Sequence, residues 1–207
     1  ADGSSGTWDA DGGGTYTDAD GSSGSYSADG SYSHTDADGN SHSMDADGNE
    51  SYASADGSSG TMSADGSSTH TDADGNSHSV DAEGNESYTG ADGSSGTMSA
   101  DGSSTHTDAD GNSHSVDAEG NESYASADGS SGTMSADGSS THTDADGNSH
   151  SVDAEGNESY TGADGSSGTY SADGGGTYTD ADGSSGTWDA DGGGTYESAD
   201  GSSGSYS

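Results

Sequence analysis

The chain has 207 residues, 40 of them acidic, no Lys or Arg, and a formal net charge of −40. Apolar residues make up only 22% and there is no Cys, which excludes an ordinary globular core and disulfide stapling. The missing basic patch excludes nucleic acid and anionic membrane as partners, and no apolar run is long enough for a transmembrane helix.

No signal peptide is expected in this segment. Low apolar content with high net charge is also the signature of disorder. The register of the sequence argues otherwise. Cut from Ala1, the chain falls into 23 blocks of nine, each beginning Ala-Asp-Gly or, at Ala82, Ala118 and Ala154, Ala-Glu-Gly. A stacked fold penalises any slip in such a repeat, whereas a disordered chain does not.

In chain order, position eight of the odd blocks is large: Trp8, Tyr26, Met44, Met62, Val80, Met98, Val116, Met134, Val152, Tyr170, Trp188 and Tyr206. The even blocks place Thr or Ala there, as at Thr17, Ala53 and Ala125, and Tyr or His at position seven. This alternation predicts an all-β parallel solenoid, a flattened two-sheet β-roll with 18 residues per coil and about 11.5 coils. Each Ala-Asp-Gly opens a turn, with Gly at positive φ, and the last three residues of a block form a strand. Position eight then points inward, so that Met44 meets Ala53 and Val116 meets Ala125 across a thin core, while position seven faces out. Glu197 conflicts with this parity, because it would point inward between Trp188 and Tyr206. Either the stack frays there, which is the preferred reading, or the even strands are rotated so that Tyr and His lie inside; a wider coil of 36 residues ranks lower.

Residues 1–207 are expected to form one continuous solenoid. Blocks 1–3 resemble blocks 21–23, so the pattern restarts after 180 residues and points to a segment of a longer array.

Blocks such as Ala91–Ser99 (ADGSSGTMS) and Ala109–Asp117 (ADGNSHSVD) resemble the RTX calcium β-roll, whose six-residue turns alternate with three-residue strands. That resemblance covers the whole chain and implies calcium at the turns. The family's G-G-x-G-x-D pattern is not matched, because the acid here stands second in the turn. Steps such as Thr15-Tyr16-Thr17 and Thr69-His70-Thr71 are similar to ice-nucleation repeats, which implies an ice-binding alternative.

With no Lys or Arg to neutralise them, the stacked carboxylates call for turn amides or cations, and oxygen-rich sites suit Ca²⁺. Asp18 and Asp20 are an example of the D-A-D-G run. A sharper pattern, H-T-D-A-D-G-N-S-H, occurs four times and contains every His in the chain. It comprises His34, Asp36, Asp38 and His42; His70, Asp72, Asp74 and His78; His106, Asp108, Asp110 and His114; and His142, Asp144, Asp146 and His150. Imidazoles flanking carboxylates are candidate ligands for Zn²⁺, Ni²⁺ or Cu²⁺; repeat duplication with ring stacking is the plainer account. The Tyr/His column is a candidate surface for lateral self-association, alongside end-to-end joining. Ser, Thr and N-x-S sites such as Asn49-Glu50-Ser51 permit glycans. A repetitive surface without a pocket argues against an enzyme. The expectation is a secreted or cell-surface structural protein forming a rod, filament, stalk or matrix element.

Overall fold

The structure, a computed structural model, describes residues 3–207. It divides into two compact units, Ala1–Ala100 and Asp101–Ser207. All regular structure among the described residues is β.

The first unit contains β1 (Ser5–Trp8), β2 (Gly14–Thr17), β3 (Ser23–Tyr26), β4 (Tyr32–Thr35), β5 (Ser41–Met44) and β6 (Glu50–Ala53). It continues with β7 (Ser59–Met62), β8 (Ser68–Thr71), β9 (Ser77–Val80), β10 (Glu86–Thr89) and β11 (Ser95–Met98). The second unit contains β12 (Ser104–Thr107), β13 (Ser113–Val116), β14 (Glu122–Ala125), β15 (Ser131–Met134), β16 (Ser140–Thr143) and β17 (Ser149–Val152). Its remaining strands are β18 (Glu158–Thr161), β19 (Ser167–Tyr170), β20 (Gly176–Thr179), β21 (Ser185–Trp188), β22 (Gly194–Glu197) and β23 (Ser203–Tyr206).

Within each unit every strand pairs antiparallel with the next, in one register. Position five opposes position eight and position six opposes position seven, as in Ser5 with Thr17 and Gly6 with Tyr16, or Ser113 with Ala125 and His114 with Tyr124. This overturns the parallel two-sheet β-roll. Blocks 18 residues apart are two strands apart, and among the described residues of each unit no second sheet packs behind them.

The cause lies in the five residues between strands. In Asp36-Ala37-Asp38-Gly39-Asn40 the Gly39 N–H donates to the Asp36 carbonyl (3.1 Å) and the Asp36 N–H donates to the Asn40 carbonyl (2.9 Å). Gly39 has φ of 93°. This is a three-residue hairpin loop, a tight turn followed by a left-handed glycine, and it reverses the chain into the adjacent strand. A solenoid corner would carry the chain to an opposite sheet about 10 Å away. The spacing of nine fits both; the hydrogen bonds that close the loop decide for the hairpin.

Opposed residues share a sheet face and neighbours along a strand alternate. One face therefore collects positions five and seven of odd blocks and six and eight of even blocks. All are Ser or Thr except Ala53, Ala125 and Glu197. Their hydroxyls bond across strands, as in Thr61–Thr69 (2.8 Å), Ser115–Ser123 (2.7 Å) and Thr187–Thr195 (2.8 Å). The other face carries Tyr, Trp, His, Met, Val, Glu and Gly, with Ser68, Ser104 and Ser140 among them. The inward rung at position eight is therefore corrected. Met44 opposes Tyr32 and Glu50, while Ala53 sits on the hydroxyl face opposite Ser41 and Ser59. Val116 and Ala125 are separated in the same way. Glu197 opposes Ser185 and Ser203 on the hydroxyl face and is exposed, so its conflict with the repeat disappears.

Among the described residues no apolar side chain is buried. The buried positions include Gly60, Gly96, Gly132, Gly168 and Gly186, all in strands. Four of these have a ring above them: a Cβ on Gly132 would stand 2.6 Å from Tyr124 Cε1, and one on Gly60 would stand 2.6 Å from Tyr52 Cε1. Tyr160 covers Gly168 and Tyr178 covers Gly186 in the same manner. Trp188 covers Gly176 in the same way, so apolar packing here is largely aromatic ring on glycine backbone, a means of protecting a strand glycine, joined by ring contacts such as Tyr170–Trp188 at 5.0 Å.

Candidate functional site

The mixed face is built in two rows that run across the strands. In the first unit one row reads Tyr16, Gly24, His34, His42, Tyr52, Gly60, His70, His78 and Tyr88, each opposed to the next. In the second unit it reads His106, His114, Tyr124, Gly132, His142, His150, Tyr160, Gly168, Tyr178, Gly186 and Tyr196. Because glycine has no side chain, each tyrosine can lie across it and reach the second strand over. Tyr16 Oη meets His34 Nδ1 at 2.5 Å, with ring centroids 6.1 Å apart. Tyr52 bonds His70 and Tyr124 bonds His142 likewise, again with centroids at 6.1 Å.

The four histidine motifs thus become four cross-strand pairs: His34 with His42, His70 with His78, His106 with His114, and His142 with His150. The second histidine of each meets a glutamate on the following strand. His42–Glu50 and His150–Glu158 are 3.3 Å apart, His78–Glu86 3.2 Å and His114–Glu122 3.4 Å. Tyr32 Oη also bonds His42 Nδ1 at 2.8 Å.

The aspartates of the same motifs lie in the hairpin loops and do different work. Asp36 Oδ1 accepts from the N–H groups of Asp38 (3.0 Å) and Asn40 (2.8 Å), and Oδ2 accepts from Asn40 Nδ2 (2.8 Å). Asp72, Asp108 and Asp144 repeat this with Asn76, Asn112 and Asn148. The Asn amide and backbone N–H hold all four carboxyls below the usual carboxylate range. Asp38, Asp74, Asp110 and Asp146 supply backbone N–H donors to the preceding Asp. In the loop after β2, Ser22 donates through its N–H and Oγ to Asp20 Oδ1, which lowers the Asp20 carboxyl, and Oγ lies 3.3 Å from Asp18 Oδ2. Each histidine motif is therefore split between the sheet face and the loop margin. Among the described residues no three His, Asp or Glu side chains group to hold a metal.

The position-four asparagines have a role that the repeat analysis missed. Asn40 Oδ1 accepts from the N–H of Ala55 at 2.9 Å, linking its loop to the next loop on the same sheet margin. Asn49–Ala64, Asn76–Ala91, Asn112–Ala127 and Asn148–Ala163 repeat the link. The signal was present: every Asn in the chain lies four residues after a position-nine Asp. Where position nine is Ser or Gly, position four is Ser or Gly, and in loops such as those of Asp56 and Asp128 the position-two Asp takes the Ser N–H instead.

No family model and no curated protein matches the chain. Solved structures do. A CPAP G-box domain aligns with TM-score 0.51 at 18% identity, covering 73% of this chain and 99% of that domain. The TCP10 domain of Danio rerio CPAP in complex with a STIL peptide aligns with TM-score 0.46 at 19% identity, covering 87% of this chain and 95% of that one. The Drosophila melanogaster SAS-4 TCP domain, in complex with a proline-rich motif of Ana2, aligns with TM-score 0.43 at 16% identity over 68% and 89% of the two chains. At 18% identity the G-box likeness concerns the fold alone: an antiparallel repeat sheet of this kind has a solved counterpart.

Proposed function

We propose that the chain is a non-enzymatic, extracellular structural repeat protein, a sheet element of a filament, stalk or matrix. What carries this reading is the register, identical in every described strand pair of both units, with no apolar side chain buried among the described residues. Such a sheet lengthens by adding hairpins without any change of local structure. All but five of the 40 acids, the exceptions being Glu50, Glu86, Glu122, Glu158 and Glu197, fall in the loops or at their borders. Loops on one margin are two strands apart, about 9.6 Å, twice the spacing of a stacked coil. Repulsion is thereby eased and not abolished, so divalent cations are the natural partners of the margins, Ca²⁺ first. Copies associate laterally through the Tyr/His rows once the margins are neutralised. Light scattering with Ca²⁺ and with chelator tests this: a chain that stays monomeric at every Ca²⁺ concentration refutes cation-driven assembly. Zn²⁺, Ni²⁺ or Cu²⁺ at the His pairs is read by calorimetry, with about one ion per cross-strand pair expected.

Ice binding is the second reading, and one observation favours it. In each unit the hydroxyl face lies on an open sheet, with Thr15, Thr17, Thr69 and Thr71 in the first unit and Thr105 and Thr107 in the second, in place of the inward direction expected for Thr17. Thermal hysteresis at micromolar protein would establish it; none would remove it.

A further inference from the structure

The end of the second unit differs from the rest. On the mixed face of β18 to β23 stand Tyr160, Tyr170, Tyr178, Trp188, Tyr196 and Tyr206, with no histidine. The one charged side chain on this face, Glu158, is at its border and pairs with His150. Tyr160, Tyr178 and Tyr196 lie over Gly168, Gly186 and Gly204, each ring bringing Cε1 and Cζ against the glycine of the next strand. Gly168 and Gly186 are buried beneath them, while Tyr160 and Tyr196 are 38% and 45% exposed. The three rings recur every second strand, about 9.6 Å apart. The loops on the margin beside this row carry Asp164, Asp180, Asp182 and Asp200. Asp164, Asp182 and Asp200 accept from the N–H groups of Ser166, Ser184 and Ser202, and among the described residues Asp180 has no such turn bond to its carboxylate.

We infer that this row is the docking site of a basic polypeptide segment that carries arginine at every third residue of an extended left-handed chain. Three observations select that occupant. The chain has no Lys or Arg, and β18 to β23 carry no His, so the acids beside the rings have no cationic side chain of their own strands to pair with. A second copy would bring another −40 against this margin, and a neutral chain would leave the carboxylates uncompensated. A planar guanidinium stacks on an exposed ring such as Tyr160 or Tyr196 and still has donors for a carboxylate. The period also fits. A polyproline II chain advances about 9.3 Å per three residues, close to the ring spacing, and makes no demand for backbone pairing on a sheet whose strands are already paired. These rings belong to the rows proposed above for lateral assembly, which requires margins neutralised by divalent cations; without added divalent cations the row is left to the basic segment.

The test uses the full chain, two synthetic peptides and Trp188 fluorescence with calorimetry at physiological salt. One peptide repeats Arg-Pro-Ser; the other has the same composition with its arginines adjacent. The spaced peptide is expected to bind at least about tenfold tighter, a difference of about 1.4 kcal/mol. The combined variant Tyr160→Leu, Tyr178→Leu and Tyr196→Leu keeps a cover over each glycine and every carboxylate, and is expected to lose about tenfold in affinity with an unchanged β signal. Equal affinity for the two peptides, or undiminished binding by the leucine variant, would show a polyanion acting without the rings and overturn the site. Absence of binding overturns it equally. So does self-association that the spaced peptide cannot compete with, because the face would then serve a second copy. If the leucine variant fails to fold, the two-peptide comparison on the unaltered chain decides alone.

Discussion

The tyrosine-over-glycine contact makes a prediction opposite in sign to ordinary strand propensity. Replacing a strand glycine by valine normally stabilises by about 1–2 kcal/mol, because glycine loses backbone entropy and valine suits a pleated sheet. At Gly132 a Cβ would stand 2.5 Å from the Thr141 carbonyl oxygen and 2.6 Å from Tyr124 Cε1 and Oη. The ring must lift, which loses its bond to His142 and the stack at 6.1 Å, and the backbone must shift from Thr141. Each of those losses costs roughly 0.5–1.5 kcal/mol, and forcing atoms into a filled site costs a further 1–3 kcal/mol or so. The net expectation for Gly132→Val is destabilisation by about 2 kcal/mol. Urea unfolding followed by circular dichroism measures it, with the slope checked for constancy. In the double variant with Tyr124→Ala, the glycine substitution should cost less than it does alone, because the ring is no longer there to displace. A midpoint for Gly132→Val above that of the parent chain would refute the argument.

Acid should loosen the loops. The carboxyls of Asp36, Asp72, Asp108 and Asp144 are held low by Asn hydrogen bonds, so their contribution is complete above the unfolded value of about 3.9 and is lost as pH falls through the lower folded value. Protonation also relieves repulsion between loops, so melting temperature against pH reads the balance; a steady rise from pH 5 to 3 would mean that repulsion outweighs the turn bonds. Asn112→Ala removes both the acceptor of the Ala127 N–H and the amide donor to Asp108 Oδ2, at a combined cost of about 2–3 kcal/mol, and should speed hydrogen exchange at Ala127 while leaving Ala163 unchanged. Glu197→Thr restores the hydroxyl row between Ser185 and Ser203 and should stabilise by up to about 1 kcal/mol in thermal unfolding. An unchanged or lower midpoint would mean that Glu197 is not a defect of that row.

The repeat of nine, one strand per block and the positive-φ glycine were legible in the sequence, because insertion-free Ala-Asp-Gly blocks leave few alternatives for where the chain turns; the strand expected over positions seven to nine runs instead over positions five to eight, and position nine closes the loop. The position-nine Asp followed four residues later by Asn was equally visible, although its meaning was not. Three things belonged to the tertiary structure. Whether a turn closes on the adjacent strand or crosses to a second sheet depends on the bond between the Asp36 N–H and the Asn40 carbonyl, which one-dimensional spacing does not encode. Strand direction then decided the faces, because reversing alternate strands sets position six against position seven, puts Gly132 beneath Tyr124 and takes Ala125 away from Val116. The histidine motif was divided by the same reversal: residues eight apart in sequence meet across a hairpin, while the aspartates between them are spent in closing it.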